Sequence, residues 1–159
     1  MQPDIFGDLS QAGGVLARLH EIACRDSLDE HQVGLARILR FKQNPSLINA
    51  ALEYSGNIKR ASEILIAEAL NVLVSGDLPI HTRALAARVL GHLICRYPAD
   101  AVSDFDVDRV IESMVHMLSR SQSSTIKQSL FRAVSAARRS AGKRRVFSPF
   151  SKVSPDSSA

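Results

Sequence analysis

The stretch from Asp77 to Pro98, DLPIHTRALAARVLGHLICRYP, determines how we interpret the rest of this chain. On a helix with about 3.6 residues per turn, its Ala, Val, Leu and Ile residues cover most of the circumference. Four polar residues, His81, Arg88, His92 and Arg96, share one narrow stripe. Such a helix is mostly buried and needs apolar partners on at least two sides. Stacked pairs of helices supply such partners, whereas a single hairpin does not.

Both ends of this stretch carry helix signals. Asp77 can cap the first turn, Pro79 suits the first helical position, and Pro98 stops the run. Comparable signals predict six more helices, which begin near residues 8, 27, 45, 57, 104 and 123. In the helix that precedes the quoted stretch, Asn57 is the expected cap.

The composition is that of an ordinary globular protein. Of 159 residues, 45% are hydrophobic and 5% aromatic, and Ala and Leu are abundant. This size suits one domain, and the lack of alternating β-branched residues favours an all-α fold. The sequence lacks the apolar run of about 20 residues that a membrane helix needs. Because the N-terminus, MQPDIFGDLS, also lacks the features of a signal peptide, we expect a cytoplasmic protein.

The charge is distributed unevenly along the chain. The formal net charge is +4, but residues 127–159 contain eight Lys or Arg and one acid, a net charge of +7. The residues before them contain twelve Lys or Arg against fifteen acids, a net charge of −3. The basicity therefore belongs to the C-terminal end.

Two short segments resemble the quoted stretch at similar spacings. Residues 35–39 (LARIL) align with residues 86–90 (AARVL) at an offset of 51, and Arg88 aligns with Arg132 at an offset of 44. The quoted stretch also resembles the inner helix of HEAT and armadillo-type repeats, which often begins at an acidic or Pro turn and continues through Arg, Ala and Leu-Gly. The residues that carry this resemblance are Asp77, Pro79, Arg83, Ala86, Leu90 and Gly91.

The resemblance implies a short α-solenoid of about three antiparallel helix pairs, covering residues 8–141. Residues 8–42 form its first pair, and the segment 45–54 reads as an inserted helix. Residues 1–7 are an irregular lead, and residues 142–159 are a basic, disordered tail. An irregular helical bundle with a similar number of helices is the alternative, because Ala-rich and Leu-rich helices produce chance offsets easily.

A small helical repeat is most useful as a binding surface. We therefore expect a non-enzymatic adaptor or scaffold that presents its inner helices to a partner protein. By equivalence between the aligned segments, the partner-binding residues are Arg37, Arg88, His92 and Arg132.

Two His/Cys pairs are the sharpest local feature. His20 with Cys24, and His92 with Cys95, could supply four soft ligands to a zinc ion. Structural zinc sites usually come from closer-spaced knuckles, however, and both cysteines follow apolar residues in helical segments. We therefore predict two buried free thiols, with neither a metal site nor a disulfide.

Motifs for catalysis or cofactor binding are missing. The sequence contains no G-x-S-x-G, G-x-G-x-x-G or Walker-type phosphate loop. The acidic cluster Asp104, Asp106 and Asp108 lacks the Gly and distal Glu of a calcium loop, so it fits the N-terminus of a helix better. We expect no enzymatic activity and no cofactor.

The basic C-terminal segment supports an alternative function. Phosphate-rich polymers, such as nucleic acids, or anionic lipid would gain several charge contacts from it, and Phe147 and Phe150 could stack on bases or dip into a membrane surface. A solvated tail that aids solubility is the plainer interpretation. The expected anion or nucleic-acid contacts are Lys127, Arg138, Arg139, Lys143, Arg144 and Arg145.

Overall fold

The computed structural model describes residues 4–99, 101, 105–121 and 123–147, without the side chains of residues 141 and 143–147. These residues form seven α-helices and no β-strand, so the predicted all-α class is confirmed for this part of the chain. None of the described helices combines the length and the apolar character that crossing a membrane requires. The helices are α1 (Ala12–Cys24), α2 (Gln32–Arg40), α3 (Pro45–Ser55), α4 (Glu63–Val74), α5 (Ile80–Cys95), α6 (Val107–Arg120) and α7 (Ser124–Phe147), with a short 3-10 helix (Leu28–His31) before α2.

Helix α5 lies at the centre of the packing. It contacts α3, α4 and α7, and its contacts with α7 and α4 are the most extensive among the described helices. Its buried residues are Thr82, Ala84, Ala86, Ala87, Val89, Leu90, Gly91, Leu93 and Ile94. The prediction of a mostly buried helix is thus confirmed, although Ile80 in its first turn is 52% exposed.

The first helices pair differently from the prediction. Helix α1 packs mainly against α3, and α2 packs against α3 and α4. Helix α3 is therefore a central element rather than an insertion beside an α1/α2 pair. It can fill this role because Leu47, Ile48, Ala51, Leu52 and Ser55 are all buried. Besides these pairs and the contacts of α5 given above, α6 packs against α7.

Polar side chains cap four of the described helices, including α4 and, through the hydroxyl of Ser123, α7. Asn44 accepts hydrogen bonds from the backbone N–H groups of Ser46 and Leu47 at the start of α3. Asp106 accepts from the N–H of Asp108 at the start of α6, consistent with the predicted capping role of the acidic cluster. The third member of that cluster, Asp104, lies outside the described residues.

Helix α4 begins at Glu63 and is capped by Ser62, so the predicted cap at Asn57 is wrong. Residues 57–62 instead form a loop that α2 and the turn before it hold in place. The carboxylate of Asp29 accepts from the N–H groups of Lys59, at 3.1 Å, and Arg60, at 2.8 Å. These long-range hydrogen bonds satisfy N–H groups that the side chain of a capping Asn57 would otherwise have bound, and they override the local signal.

The N-terminal segment is irregular but packed. Phe6 is only 4% exposed, and its ring lies against Gly34 on α2. A Cβ atom added at Gly34 would lie 2.5 Å from the Phe6 ring, so only glycine allows this contact. The described part of this segment, residues 4–7, therefore packs against α2.

Asp4 and Arg37 fasten this segment to α2. The Arg37 guanidinium donates to both carboxylate oxygens of Asp4, at 2.6 and 2.5 Å, and to the carbonyl oxygen of Gly7 at 2.8 Å. The hydrogen bond from Arg37 holds the pKa of the Asp4 carboxyl below its usual value of 3.8, while partial burial opposes the effect. The ionised form of Asp4 is thus favoured by folding.

Because the folded pKa of Asp4 is lowered, the pair stabilises the protein above pH 3.8, and this contribution is lost as the pH falls through the lower folded value. We expect Asp4→Asn to lower the free energy of unfolding by about 1 kcal/mol at neutral pH. The difference between the two proteins should vanish in strong acid. Urea unfolding across a pH series measures this difference in the free energy of unfolding. The control is Glu53→Gln, at an exposed position on α3. A difference that stays constant into strong acid would contradict the role of the carboxylate.

The last helix extends beyond the predicted domain boundary at residue 141. Helix α7 continues to Phe147, so residues 142–147 have a helical backbone. The rest of the predicted disordered tail, residues 148–159 with Phe150, lies outside the described residues. The backbone of this basic end is thus helical as far as Phe147.

Candidate interaction groove between α5 and α7

Helices α5 and α7 approach each other closely at one point. A Cβ atom added at Gly91 would lie 2.8 Å from the Cβ of Ala133 and 2.9 Å from its Cα. Real Cβ atoms do not come this close, so the glycine sets the spacing of the two helices. Beside this contact lies a groove of about 290 Å³ that we call the α5–α7 groove. It is lined by Arg88, Gly91, His92, Cys95, Ser129, Arg132, Ala133 and Ala136.

The groove combines a small apolar floor with a cationic rim. Its floor contains Gly91, Ala133 and Ala136, whose small side chains leave the space open. Arg88 on α5 and Arg132 on α7 are both exposed, so their guanidinium groups reach solvent from different helices. This arrangement can bury an apolar group on the floor and bind anionic groups at the rim.

The charge on these two helices has one sign. Helices α5 and α7 contain no Asp or Glu, although together they carry nine Arg and Lys residues. Among the described residues, the salt bridges lie elsewhere, and neither Arg88 nor Arg132 takes part in one. Clustered cations repel one another when no carboxylate is near. The face formed by α5 and α7 therefore favours the approach of an anionic partner.

The structure brings together three of the four predicted partner-binding residues. Arg88, His92 and Arg132 all line the α5–α7 groove. Arg37 lies on α2, and its guanidinium is bound by Asp4 and Gly7 of the N-terminal segment.

The polar stripe of α5 divides between two surroundings. Two of its members, Arg88 and His92, line the groove. Arg96 instead donates to the carbonyl oxygen of Ile58 at 3.0 Å and helps to hold the loop between α3 and α4. The stripe therefore lies partly along the α5–α7 groove and partly against the loop between α3 and α4.

The predicted anion contacts lie along α7. Lys127, Arg138 and Arg139 are exposed, while the side chains of Lys143, Arg144 and Arg145 lie outside the described residues. Phe131 is 64% exposed, although its position in the apolar pattern predicts burial. Spacings of four and seven residues set Lys127, Phe131 and Arg138 on one side of the helix. An exposed aromatic ring thus lies between two cations.

The His/Cys pairs differ from each other in their surroundings. The Nε2 atom of His20 lies 3.5 Å from the Sγ atom of Cys24, whereas the thiol of Cys95 donates to the carbonyl oxygen of Ala136 at 3.6 Å. Both cysteines are free, but both are exposed, so the prediction of buried thiols is wrong. No group of three or more His, Cys, Asp or Glu side chains converges among the described residues.

Sequence reasoning missed the floor of the groove and the absence of Asp and Glu from the two helices that form it. Gly91 and Ala133 look like ordinary helix-packing residues until their close approach is seen. Counting Asp and Glu helix by helix, rather than along the whole chain, could have identified α5 and α7 as a pair. Comparisons with models of protein families, with curated protein sequences and with solved structures find no match for this chain. The geometry of the groove is therefore the basis for inferring function.

Proposed function

We propose that the protein is a non-enzymatic cytoplasmic adaptor that binds an acidic surface of a partner protein through the face formed by α5 and α7. One observation carries this proposal: both helices lack Asp and Glu, and the exposed Arg88 and Arg132 form no salt bridge within the described residues. Arginine is enriched at the centres of protein interfaces because its guanidinium binds carboxylates with two parallel hydrogen bonds.

The helix contacts support a short solenoid as the architecture behind this surface. In this proposal α2/α3, α4/α5 and α6/α7 are the three helix pairs, and α1 precedes them. Helices α3, α5 and α7 would form one row, because α3 contacts α5 and α5 contacts α7. Helices α2 and α4, which also contact each other, would belong to the second row. The α5–α7 groove then lies between neighbouring members of the first row.

The dimensions of the groove favour a macromolecular partner over a small molecule. Its volume of about 290 Å³ is at the lower end of the range for sites that enclose small ligands. Its cations lie on the rim, where they can contact groups of a partner whose main body stays outside the groove. Arg139 follows Arg132 at a spacing of seven residues, so this side of α7 carries a further exposed cation beyond the reach of a small ligand.

Charge reversal tests the proposal. We expect Arg88→Glu to reduce capture of partner proteins from native extract by about tenfold or more, because it sets a carboxylate against an acidic partner. The matched control is Arg18→Glu, at an exposed position on α1. Quantitative mass spectrometry of the captured proteins compares the two variants with the unmodified chain. Equal capture by all three proteins would contradict a role for this face.

One observation favours a second candidate function, binding of single-stranded nucleic acid. The exposed ring of Phe131 lies between Lys127 and Arg138 on one side of α7, where it can stack on a base while the cations contact phosphates. Cations alone would not distinguish nucleic acid from an acidic protein. The exposed aromatic ring favours nucleic acid, because it can stack on a base.

We expect Phe131→Ala to weaken oligonucleotide binding by about 1–3 kcal/mol if this second function is correct. Fluorescence anisotropy with a labelled single strand, measured at several salt concentrations, gives the affinity and its salt dependence. Val33→Ala is the control, because Val33 is an exposed apolar residue on α2. Oligonucleotide binding that is absent at low salt, or unchanged in Phe131→Ala, would exclude base stacking on α7.

A further inference from the structure

We propose that the α5–α7 groove recognises a linear acidic segment that contains an apolar residue, with the apolar side chain on the groove floor and carboxylates at the rim. This inference rests on the proposed adaptor function and specifies the chemistry of the partner. It follows from two separate features of the groove, namely the composition of its floor and the positions of its two arginines.

The floor is suited to an apolar side chain. Gly91, Ala133 and Ala136 present only backbone and methyl groups, and the thiol of Cys95 is already hydrogen-bonded to the carbonyl oxygen of Ala136. The volume of about 290 Å³ corresponds to roughly ten water molecules. These waters would find few hydrogen-bonding partners on such a floor, so an apolar side chain that displaces them gains affinity.

The rim is suited to carboxylates on both sides of that apolar residue. Arg88 belongs to α5 and Arg132 belongs to α7, so the two guanidinium groups flank the groove from different helices. A linear segment that crosses the groove can therefore set one carboxylate near each arginine. Since no acid occurs on either helix, these contacts would not compete with carboxylates of the same helices.

The floor also distinguishes a peptide from a phosphate polymer. A nucleic acid would use the cations of the rim but would leave the floor between Gly91 and Ala136 filled with water. An acidic peptide with an apolar residue uses both parts of the groove. The occupant that fits the whole groove is thus a peptide segment of a partner protein.

The experiment is a titration of the full chain, followed by NMR, with three synthetic peptides. The first is rich in Glu and Asp around a central Leu, the second replaces that Leu by Ser, and the third replaces the acids by Gln and Asn. We expect the first peptide to shift the amide signals of Gly91, Ala133 and Ala136. We expect the second to bind about tenfold more weakly and the third more weakly still.

Two substitutions separate the floor from the charge. Ala136→Leu fills the floor without changing any charge, and it should weaken binding of the first peptide about tenfold or more. Ala17→Leu makes the same change at an exposed position on α1 and should leave binding unchanged. Both positions are helical, and Leu has a helix propensity close to that of Ala, so both variants should fold.

The outcomes distinguish this inference from the function on which it rests. Equal binding of the Leu and Ser peptides, or unchanged binding in Ala136→Leu, overturns the inference while leaving an acidic partner for the α5–α7 face. Equal displacement of the first peptide by inorganic pyrophosphate also overturns it, because that probe cannot occupy the floor. If no acidic peptide shifts any signal of α5 or α7, the inference fails. If Arg88→Glu also captures the same proteins as the unmodified chain, the adaptor function fails with it.

Discussion

Replacing Gly91 by leucine is expected to lower the free energy of unfolding by about 3 kcal/mol or more. The reason is the close approach of α5 and α7, where even a Cβ atom at position 91 would lie 2.8 Å from the Cβ of Ala133. Carbon atoms in contact are normally about 3.5–4.0 Å apart, so the helices would have to separate. Ala133 is 5% exposed and its Cα is also in the way, at 2.9 Å, which leaves no flexible side chain to move aside.

Thermal unfolding measures this effect, and a loss of 3 kcal/mol corresponds to roughly 6–12 °C in a chain of this size. The matched control is Gly14→Leu on α1, where an added Cβ would have no atom within 4 Å. Removing a glycine from an exposed helical position should stabilise the protein by up to about 1 kcal/mol. If both leucine variants unfolded at the same temperature, the close contact between α5 and α7 would be wrong.

The consequences of separating these helices would reach the α5–α7 groove, because Gly91 and Ala133 belong to its floor. Gly91→Ala is the milder variant, and Ala133→Gly should partly compensate for it by removing the opposing methyl group. A double-mutant cycle gives the coupling between the two positions. The packing that builds the core and the shape of the groove thus depend on the same pair of residues.

The helices themselves were predictable because periodicity in the sequence reports burial directly. The apolar pattern of residues 77–97 predicted the central helix, and Pro79 and Pro98 marked its ends to within a few residues. Local signals failed where distant residues supply the hydrogen bonds. Asn57 looks like a helix cap, yet Asp29 and Gln32 hold the loop that follows it, and a sequence pattern does not show such a contact.

The candidate site was predictable only in part. Arg88, His92 and Arg132 were chosen from a repeated spacing, and the structure brings them into one groove. Arg37 was chosen by the same alignment but lies on α2, where the N-terminal segment binds its guanidinium. An alignment of apolar positions reports which face of a helix is buried. It does not report which neighbour covers that face, so it could not separate Arg37 from the others.

Gln32→Leu is the other substitution for which we expect a large loss of stability, about 3 kcal/mol. Gln32 is 8% exposed and joins the start of α2 to the loop before α4. Its Nε2 atom donates to the carbonyl oxygen of Arg60 at 2.8 Å, and its Oε1 atom accepts from the N–H of Ser62 at 2.7 Å. Leucine removes both hydrogen bonds from this partly buried loop without leaving a large void. The cost is mainly the desolvation of backbone groups that lose their partner.

Gln32→Glu tests this explanation more finely than leucine does. An ionised Glu keeps an acceptor for the N–H of Ser62 but cannot donate to the carbonyl oxygen of Arg60, so its loss should be intermediate. Urea unfolding gives the free energies, and amide hydrogen exchange at Ser62 reports the loop itself, which should lose protection in Gln32→Leu. Gln43→Leu, at an exposed position between α2 and α3, should change neither measurement. If Gln32→Leu were as stable as the unmodified chain, the start of α4 would depend on the local cap at Ser62 alone, and the loop would not need its contact with α2.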